Sequence, residues 1–242
     1  MEKRSHATTH GYQSFADQYA QLGFTGTYYL AFRDIPTLLA EHGVRPGVAL
    51  DHGCGAGRST RFLQSLGFET IGVDRTESML NQARAVDPAG DYRLLSNTQL
   101  SCISEASIEL VFQSSVMEEI GDLATIEAVL REFHRVLHPD GRVVIVTVSD
   151  IAPMGDWASL SYPDRAKRPQ SGDTVRCLVR NTDIAFHDYY WTDENYYGLF
   201  RAAGFELLTH HRPIADGSEE FEWRDELKSS PWSVFVLAKS RC

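Results

Sequence analysis

"VALDHGCGAGRST", residues 48–60, joins a short apolar run to a polar, helix-compatible segment through glycines at alternate positions. Gly53, Gly55 and Gly57 can take dihedrals closed to other residues, and they let a ligand approach the backbone without meeting a side chain. The run before them reads as a buried strand, and "RSTRFLQSLGF" (58–68) reads as a helix closed by Gly67. In an open parallel sheet, such a strand, turn and helix lie where ligands bind, beyond the carboxyl ends of the strands.

The same alternation continues along the chain. "ETIGVD" (69–74) is a second strand, and "TESMLNQARAV" (76–86) is its helix, with Thr76 as the expected cap and Met79, Leu80, Ala83 and Val86 on one side. "DYRLLSN" (91–97) is a weaker third strand and "SIELVFQSS" (107–115) a fourth. In "DLATIEAVLREFHRVLHPDG" (122–141), Leu123, Ile126, Leu130, Phe133 and Leu137 recur at helical spacing, and the helix is expected to end at Pro139 and Gly141. "RVVIVTVS" (142–149) is a continuous apolar run suited to a strand covered on both faces. Strands alternating with helices predict parallel β-α-β units with right-handed crossovers, hence a doubly wound, Rossmann-like α/β fold.

After residue 150 the alternation stops. "DIAPMGDWASLSYPDRAKRPQSGD" (150–173) is rich in turn residues and reads as an inserted loop, while "TVRCLVRN" (174–181) and "DIAFHDYYWT" (183–192) are matched as a hairpin. "DENYYGLFRAAGF" (193–205) is a helix capped near Thr192 or Asp193 and ended by Gly204. "ELLTHHRPI" (206–214) and "WSVFVLAKS" (232–240) supply the last two strands, for seven in a mixed sheet. Ahead of the core, "QSFADQYAQL" (13–22) and "YYLAFRDIPTLLAEHG" (28–43) read as two helices broken at "GFTG". The expected organisation is a helical lid over 1–46, an α/β core over 47–150, an insertion over 151–191 that caps the substrate or mediates dimerisation, and completion of the core over 192–242.

Composition narrows the function classes. The formal net charge of -10 over 242 residues opposes nonspecific attraction to nucleic-acid phosphates or anionic lipid. No stretch approaches the ~18 continuous apolar residues of a membrane span, and no secretory signal is recognisable at the N-terminus. A cytoplasmic protein without nucleic-acid or membrane partners is expected. Cys54, Cys102, Cys177 and Cys242 lie far apart without a CxxC pair, which signals neither a disulfide framework nor a metal site. His6 and His10, in a polar terminus, read as solvated.

The glycine spacing discriminates among cofactors. A dinucleotide fingerprint counted from Gly53 would need a third glycine at Arg58, and counted from Gly55 it would need one at Thr60. A P-loop would need a GK[ST] that does not follow. Asp74 ends the second strand, where a carboxylate can accept bonds from both hydroxyls of a ribose. A pyrophosphate prefers helix N-terminal amides, whereas a cationic amino acid tail tolerates a carboxylate such as Asp51.

"VALDHGCGAGRST", "IGVDRTESML" (71–80), "SIELVFQSSVMEEI" (107–120) and "EFHRVLHPDGRVVIVTVS" (132–149), in this order and spacing, resemble the successive motifs of class I S-adenosylmethionine (SAM)-dependent methyltransferases of the small-molecule type. The closing "WSVFVLAKS" suits that family's antiparallel strand. The resemblance implies that SAM is the cofactor and S-adenosylhomocysteine its product. It places the methionine part against the backbone around Asp51, Gly53, Cys54 and Gly55, the ribose on Asp74, and the adenine along Arg75 and Met79. Asn97 stands where the family often has an acidic residue near the adenine amine, with Thr98 beside it. Gln113 and Ser114, with Ser115, are expected to face the sulfonium and substrate. The family's N-terminal segment often closes over SAM, which assigns Tyr19 and Tyr28 to a lid. Arg33, flanked by apolar residues in "YYLAFRDIP" (28–36), is expected to pair with the SAM carboxylate, the alternative being a surface arginine beside Asp34. For Gly57, Asp74 and Met79, the plain alternatives are helix packing, a helix start and core.

Methyl transfer from a sulfonium is an in-line displacement, helped by orientation and by exclusion of water. A base is needed only where the acceptor must lose a proton. His187, on the hairpin with Tyr189 two residues on, and Glu118, after the fourth strand, are the candidate bases; His134 is set aside as a helix-surface residue. The expected function is methylation of a small molecule at an oxygen, nitrogen or carbon nucleophile, of the kind found in secondary metabolism. Two rivals are a SAM-binding enzyme of this fold catalysing a cyclisation, rearrangement or elimination, and a noncatalytic SAM-binding protein.

Overall fold

A computed structural model of the chain describes residues 23–164 and 166–241. The expected helix over 13–22, with Tyr19, lies outside the described residues. Two short helices come first, α1 (Thr27–Arg33) and α2 (Ile35–Glu41). The single helix expected over 28–43 is divided in two: Pro36 has no amide to donate and its ring crowds the carbonyl four residues earlier, so the helix breaks at Asp34.

The core follows as β1 (Val48–His52), α3 (Arg58–Ser65), β2 (Glu69–Asp74), α4 (Glu77–Val86), β3 (Asp91–Leu94), β4 (Ile108–Ser114), α5 (Leu123–Val136) and β5 (Leu137–Val148). An insertion carries β6 (Leu160–Ser161), β7 (Thr174–Val179) and β8 (Ala185–Tyr189), and the chain returns through α6 (Asp193–Ala202), β9 (Phe205–His211) and β10 (Trp232–Lys239). The main sheet has seven strands in the order β3-β2-β1-β4-β5-β10-β9; β6, β7 and β8 form a separate antiparallel sheet. β10 runs antiparallel to both β5 and β9, whereas β1 to β5 are mutually parallel where they pair. The expected mixed sheet, its final antiparallel strand and the inserted hairpin are all present.

Alternation along the strands explains the two buried faces. Leu110 and Phe112 of β4, Val144 and Val146 of β5, and Val234 and Val236 of β10 pack with α1, α2 and the hairpin. Their neighbours Val111, Val143, Ile145, Phe235 and Leu237 pack on the other face against Ile126, Leu130 and Phe133 of α5 and Leu199 and Phe200 of α6.

Two boundaries differ from the pattern. α5 stops at Val136, because His138 precedes Pro139 and such a residue is driven out of the helical region; Leu137 is already extended and pairs with Ile108. Thr76 precedes α4 without a side-chain capping bond. At α6, by contrast, Thr192 and Asn195 close a reciprocal capping box.

A buried carboxylate ties the ends of the chain to the insertion. Glu226 accepts from Thr27 Oγ1 at 2.6 Å, from the Ala158 amide at 2.7 Å and from the Arg224 amide at 3.0 Å. Trp232 Nε1 donates to the Thr27 carbonyl at 2.7 Å. The insertion is thereby fixed over the carboxyl edge of the sheet.

Candidate functional site

Strand order reverses at β1, with β2 on one side and β4 on the other, so a crevice opens beyond the carboxyl ends of β1 and β4. The glycine turn fills its floor. Gly53, Gly55 and Gly57 have φ of 75°, 52° and 79°, in the left-handed region that other residues rarely adopt. A Cβ on Gly53 would overlap Val116 Cγ2, and one on Gly57 would lie 2.7 Å from Tyr92 Oη. Ser115, just past β4, also has a positive φ of 56° without being glycine, a strained backbone of the kind that concentrates at sites.

Two aspartates organise this turn. Asp74, at the end of β2, accepts from the Gly55 amide at 2.9 Å and from the Thr76 amide at 2.8 Å, which joins the loop after β1 to that after β2. Burial raises its pKa against those bonds. Asp51 is fully buried; its Oδ2 accepts from Ser59 Oγ at 2.7 Å and Thr60 Oγ1 at 2.6 Å, both in the first turn of α3. Its Oδ1 is buried with no hydrogen-bond partner. Burial pushes the Asp51 pKa up to about 6, more than the two hydroxyls draw it down.

Phe32, Gly53, Ala56, Arg58, Ser59 and Ser114 line the crevice together with Cys54. Cys54 is buried and its thiol pKa is pushed well up by burial and then by the neighbouring Asp51 and Asp74, which keeps it protonated and unreactive. The guanidinium of Arg58 lies 5.4, 5.2 and 5.6 Å from the ring centroids of Phe24, Tyr28 and Phe32. The sequence pattern gave no reason to single out this arginine, since it was read only as the residue that breaks a dinucleotide fingerprint.

The other residues singled out from the sequence fall into three groups. Ser114 is at the crevice, and Asp74, Arg75, Asn97 and Thr98 lie on the adjoining loops after β2 and β3, where Leu95 N donates to the Asp74 carbonyl at 2.8 Å. Arg75 and Asn97 are exposed; Asn97 Oδ1 accepts from the Gln99 amide at 2.8 Å. Met79, Tyr28 and Gln113 are buried in packing: Tyr28 sits 5.8 Å from the Trp232 ring, and Gln113 bonds His52 Nδ1 at 2.8 Å across β1 and β4, with the His52 ring in turn edge-on to Phe133, and Gln113 is not among the residues that line the crevice. Burial, and then the charge of Arg75, lowers the His52 pKa to about 4, so that ring is neutral.

Arg33 and His187 are placed away from both crevice and cavity. Arg33 pairs with Asp34 at 2.7 Å and Glu219 at 2.8 Å and donates to the Ile214 carbonyl, which commits its guanidinium to the loop after β9. His187 is exposed opposite Arg176 on the outer side of the hairpin. Of the two orientations the alternation left open for His187, cleft or solvent, the structure shows solvent, while its neighbours Asp188 and Tyr189 line a cavity.

Asp188 ends a second cavity, between the hairpin and the end of β5, walled by Val148, Ser149, Tyr162, Tyr189, Tyr190, Trp191 and Tyr196. Its own free volume is about 10 Å³, room for one water-sized group, and it shares Pro153, Tyr162 and Val175 with an adjoining chamber of about 310 Å³ that Asp164, Lys167 and Asp173 also line. Glu118 is 3 % exposed and lies beside it; Thr147 Oγ1 donates to Glu118 Oε2 at 2.8 Å and stands 3.4 Å from Tyr196 Oη. Burial raises the Glu118 pKa to about 7 and, with the charges of Glu118 and Glu119, holds Asp188 well above the usual carboxylate range. Among the described residues, no group of three or more His, Cys, Asp and Glu side chains could hold a metal ion.

The match with known sequences falls on the crevice. Residues 50–145 fit the model of a family described as a methyltransferase domain. The matched stretch runs from β1 to β5, the part of the α/β core that carries the crevice. A malonyl-[acyl-carrier protein] O-methyltransferase from Yersinia pestis is 32% identical over 103 residues, 43% of this chain and 37% of its own length. The corresponding protein from Pseudescherichia vulneris is 30% identical over 113 residues, 46% of this chain and 43% of its own length. The matches thus span less than half of these relatives. Among solved structures, the CcbJ methyltransferase from Streptomyces caelestis superposes with a TM-score of 0.66 at 20% identity, covering 97% of this chain and 99% of that one. DesVI from Streptomyces venezuelae gives 0.67 at 18% identity, covering 94% and 98%. At these identities the superpositions establish the fold alone, the seven-stranded mixed sheet with its antiparallel edge. No described helix is long and apolar enough to cross a membrane.

Proposed function

We propose that the chain is a SAM-dependent methyltransferase acting on a small-molecule acceptor. The observation that carries this reading is the orphaned Oδ1 of Asp51, buried beside a turn whose glycines leave no room for side chains. A buried carboxylate oxygen without a donor is costly, and the α-ammonium of an amino acid tail is the donor it fits. Asp74 keeps lone pairs for ribose hydroxyls after accepting from Gly55 and Thr76, since a carboxylate offers about four acceptor sites. Arg58 takes the role of pairing with the tail's carboxylate that the sequence pattern assigned to Arg33. Arg75, Asn97 and Thr98 border the adenine end, and Ser114 borders the reacting centre.

When bound, SAM supplies an electrophilic methyl group on a sulfonium. The protein's contribution is orientation and exclusion of water: Phe24, Tyr28 and Phe32 form an aromatic wall beside Arg58, and the insertion covers the edge of the sheet next to the crevice. The curated relatives' acceptor is not carried over, because the matches cover less than half of this chain.

Calorimetric titration of SAM into the wild-type chain and Asp51→Asn tests the reading. Binding by the wild type that weakens roughly tenfold or more in the variant is expected, since losing a charged hydrogen-bond partner costs about 1.5–3 kcal/mol. Absence of SAM binding by the folded wild type would remove the proposal.

A further inference from the structure

The cavity that ends at Asp188 combines two features that point to one ligand chemistry. Its walls are aromatic, with Tyr162, Tyr189, Tyr190, Trp191 and Tyr196 around it. Its inner end is acidic, with Asp188 in the wall and Glu118 close enough for its charge to oppose ionisation of Asp188. Among the described residues, no basic group contributes to the field at either carboxylate. A third, independent observation lies where the cavity meets the outer chamber. Tyr162 is 3 % exposed, and its hydroxyl oxygen has no hydrogen bond of regular geometry. Its hydroxyl is directed at the Cys177 sulfur, a weak acceptor whose pKa the contact draws down, so the oxygen's own lone pairs have no donor. The hydroxyl lies within electrostatic reach of Asp188 and Glu118.

We propose that this cavity receives the amine end of the acceptor, a primary or secondary alkylamine that enters as its ammonium cation, so that methylation occurs at nitrogen. The inference rests on the reading of the chain as a SAM-dependent methyltransferase and narrows its substrate class. An ammonium is attracted to the faces of Tyr and Trp and to buried carboxylates. Its N–H groups supply the donors that Tyr162 Oη and Asp188 lack. A carboxylate or phosphate acceptor would meet Asp188 and Glu118 at the inner cavity, with Lys167 set between Asp164 and Asp173 in the adjoining chamber, and a neutral hydroxyl would leave the two inner acids uncompensated.

The chemistry balances within the site. The ammonium gives one N–H proton to the Asp188 carboxylate, which frees the nitrogen lone pair. The nitrogen then bonds to the methyl carbon as the carbon–sulfur bond breaks, and that electron pair stays on sulfur as a neutral thioether. The product leaves as the N-methylated ammonium. Burial raises the pKa of Glu118 and Asp188, which makes the ionised form of each a stronger proton acceptor once the ammonium has drawn it into the charged state.

Three matched probes test the proposal on the full chain: phenethylamine, 2-phenylethanol and phenylacetate, titrated by calorimetry in the absence and presence of S-adenosylhomocysteine. The amine should bind roughly tenfold or more tightly than the alcohol, with phenylacetate weakest, as expected when a cation meets desolvated aromatic faces and a carboxylate. Asp188→Asn should abolish the preference, and Glu118→Gln should reduce it. Wild-type discrimination among the three probes needs no variant, so it decides the matter even if Asp188→Asn does not fold. Equal affinity for the probes, binding of none, or a preference unchanged in both variants would overturn the proposal. SAM affinity measured on the same samples separates the two readings: intact SAM binding without amine preference sinks only this inference, whereas amine preference without SAM binding sinks the parent reading.

Discussion

The crevice at the glycine turn and the cavity under the hairpin both contain buried carboxylates, but they satisfy them differently. At the turn, Asp51 and Asp74 take hydroxyl and amide donors from residues close in sequence, Ser59, Thr60, Gly55 and Thr76, and one oxygen remains without a partner. Under the hairpin, Glu118 accepts from the Thr147 hydroxyl, with the backbone at Glu118 and Val148 also favouring its ionised form, and Asp188 has no hydrogen bond among the described residues. The first region is a nearly completed cradle awaiting one cation. The second is an uncompensated acidic end in an aromatic chamber, and a cationic ligand would complete it.

The sharpest way to break this comparison is Asp74→Ala. Loss of the acceptor for two amides should lower SAM affinity about a hundredfold, because each hydrogen bond to a charged group is worth about 1.5–3 kcal/mol. Phenethylamine affinity in the same variant should stay within about twofold if the two regions are independent. Coupled losses at both would merge them into one site.

A smaller effect should appear in stability against pH. The Glu118 pKa is raised to about 7 in the fold, so the native state holds a proton that the unfolded chain has released. Stability from this group is therefore complete below the ordinary glutamate pKa and is lost as pH rises through about 7. Chemical denaturation of the wild type should show a loss of about 2 kcal/mol across that interval, discounted for coupling to Asp188. Glu118→Gln should flatten that slope. An unchanged slope would mean that Glu118 is not desolvated as described.

Arg58→Gln should weaken SAM binding several-fold, in keeping with about 1 kcal/mol for a guanidinium held among aromatic faces. Arg33→Gln serves as its control and should leave SAM affinity within about twofold, since its guanidinium is engaged by Asp34 and Glu219. The smallest effect is expected at His187, exposed on the outer side of the hairpin. His187→Ala should change stability by less than about 0.5 kcal/mol and leave turnover intact; a turnover loss would bring the hairpin's outer side into the mechanism.

The contrast also explains what the sequence revealed. The strand and helix order, the glycine turn and Asp74 could be read directly, because a strand, a turn and a helix cap are contiguous and their periodicities are strong. The places of Asp51 and Ser114 at the ends of β1 and β4 followed from the same run and its neighbour. Gln113 was misplaced by the pleat itself: adjacent residues on β4 point to opposite faces, and Gln113 turns to His52 while Ser114 meets the crevice. Arg58 was passed over because its significance depends on Phe24, Tyr28 and Phe32, which reach it only through the packing of α1. The hairpin cavity was least legible. Glu118, Tyr162, Asp188 and Tyr196 come from four separate elements, and no spacing in the chain links them before the insertion folds down under the hold of Glu226.

A crystal structure of the chain with S-adenosylhomocysteine tests the central claim most directly. The account predicts the amino group of the ligand within about 3.2 Å of Asp51 Oδ1, the ribose hydroxyls on Asp74, and the sulfur directed toward the cavity that ends at Asp188. A ligand bound elsewhere, or one in the crevice that leaves Asp51 Oδ1 without a partner, would contradict it.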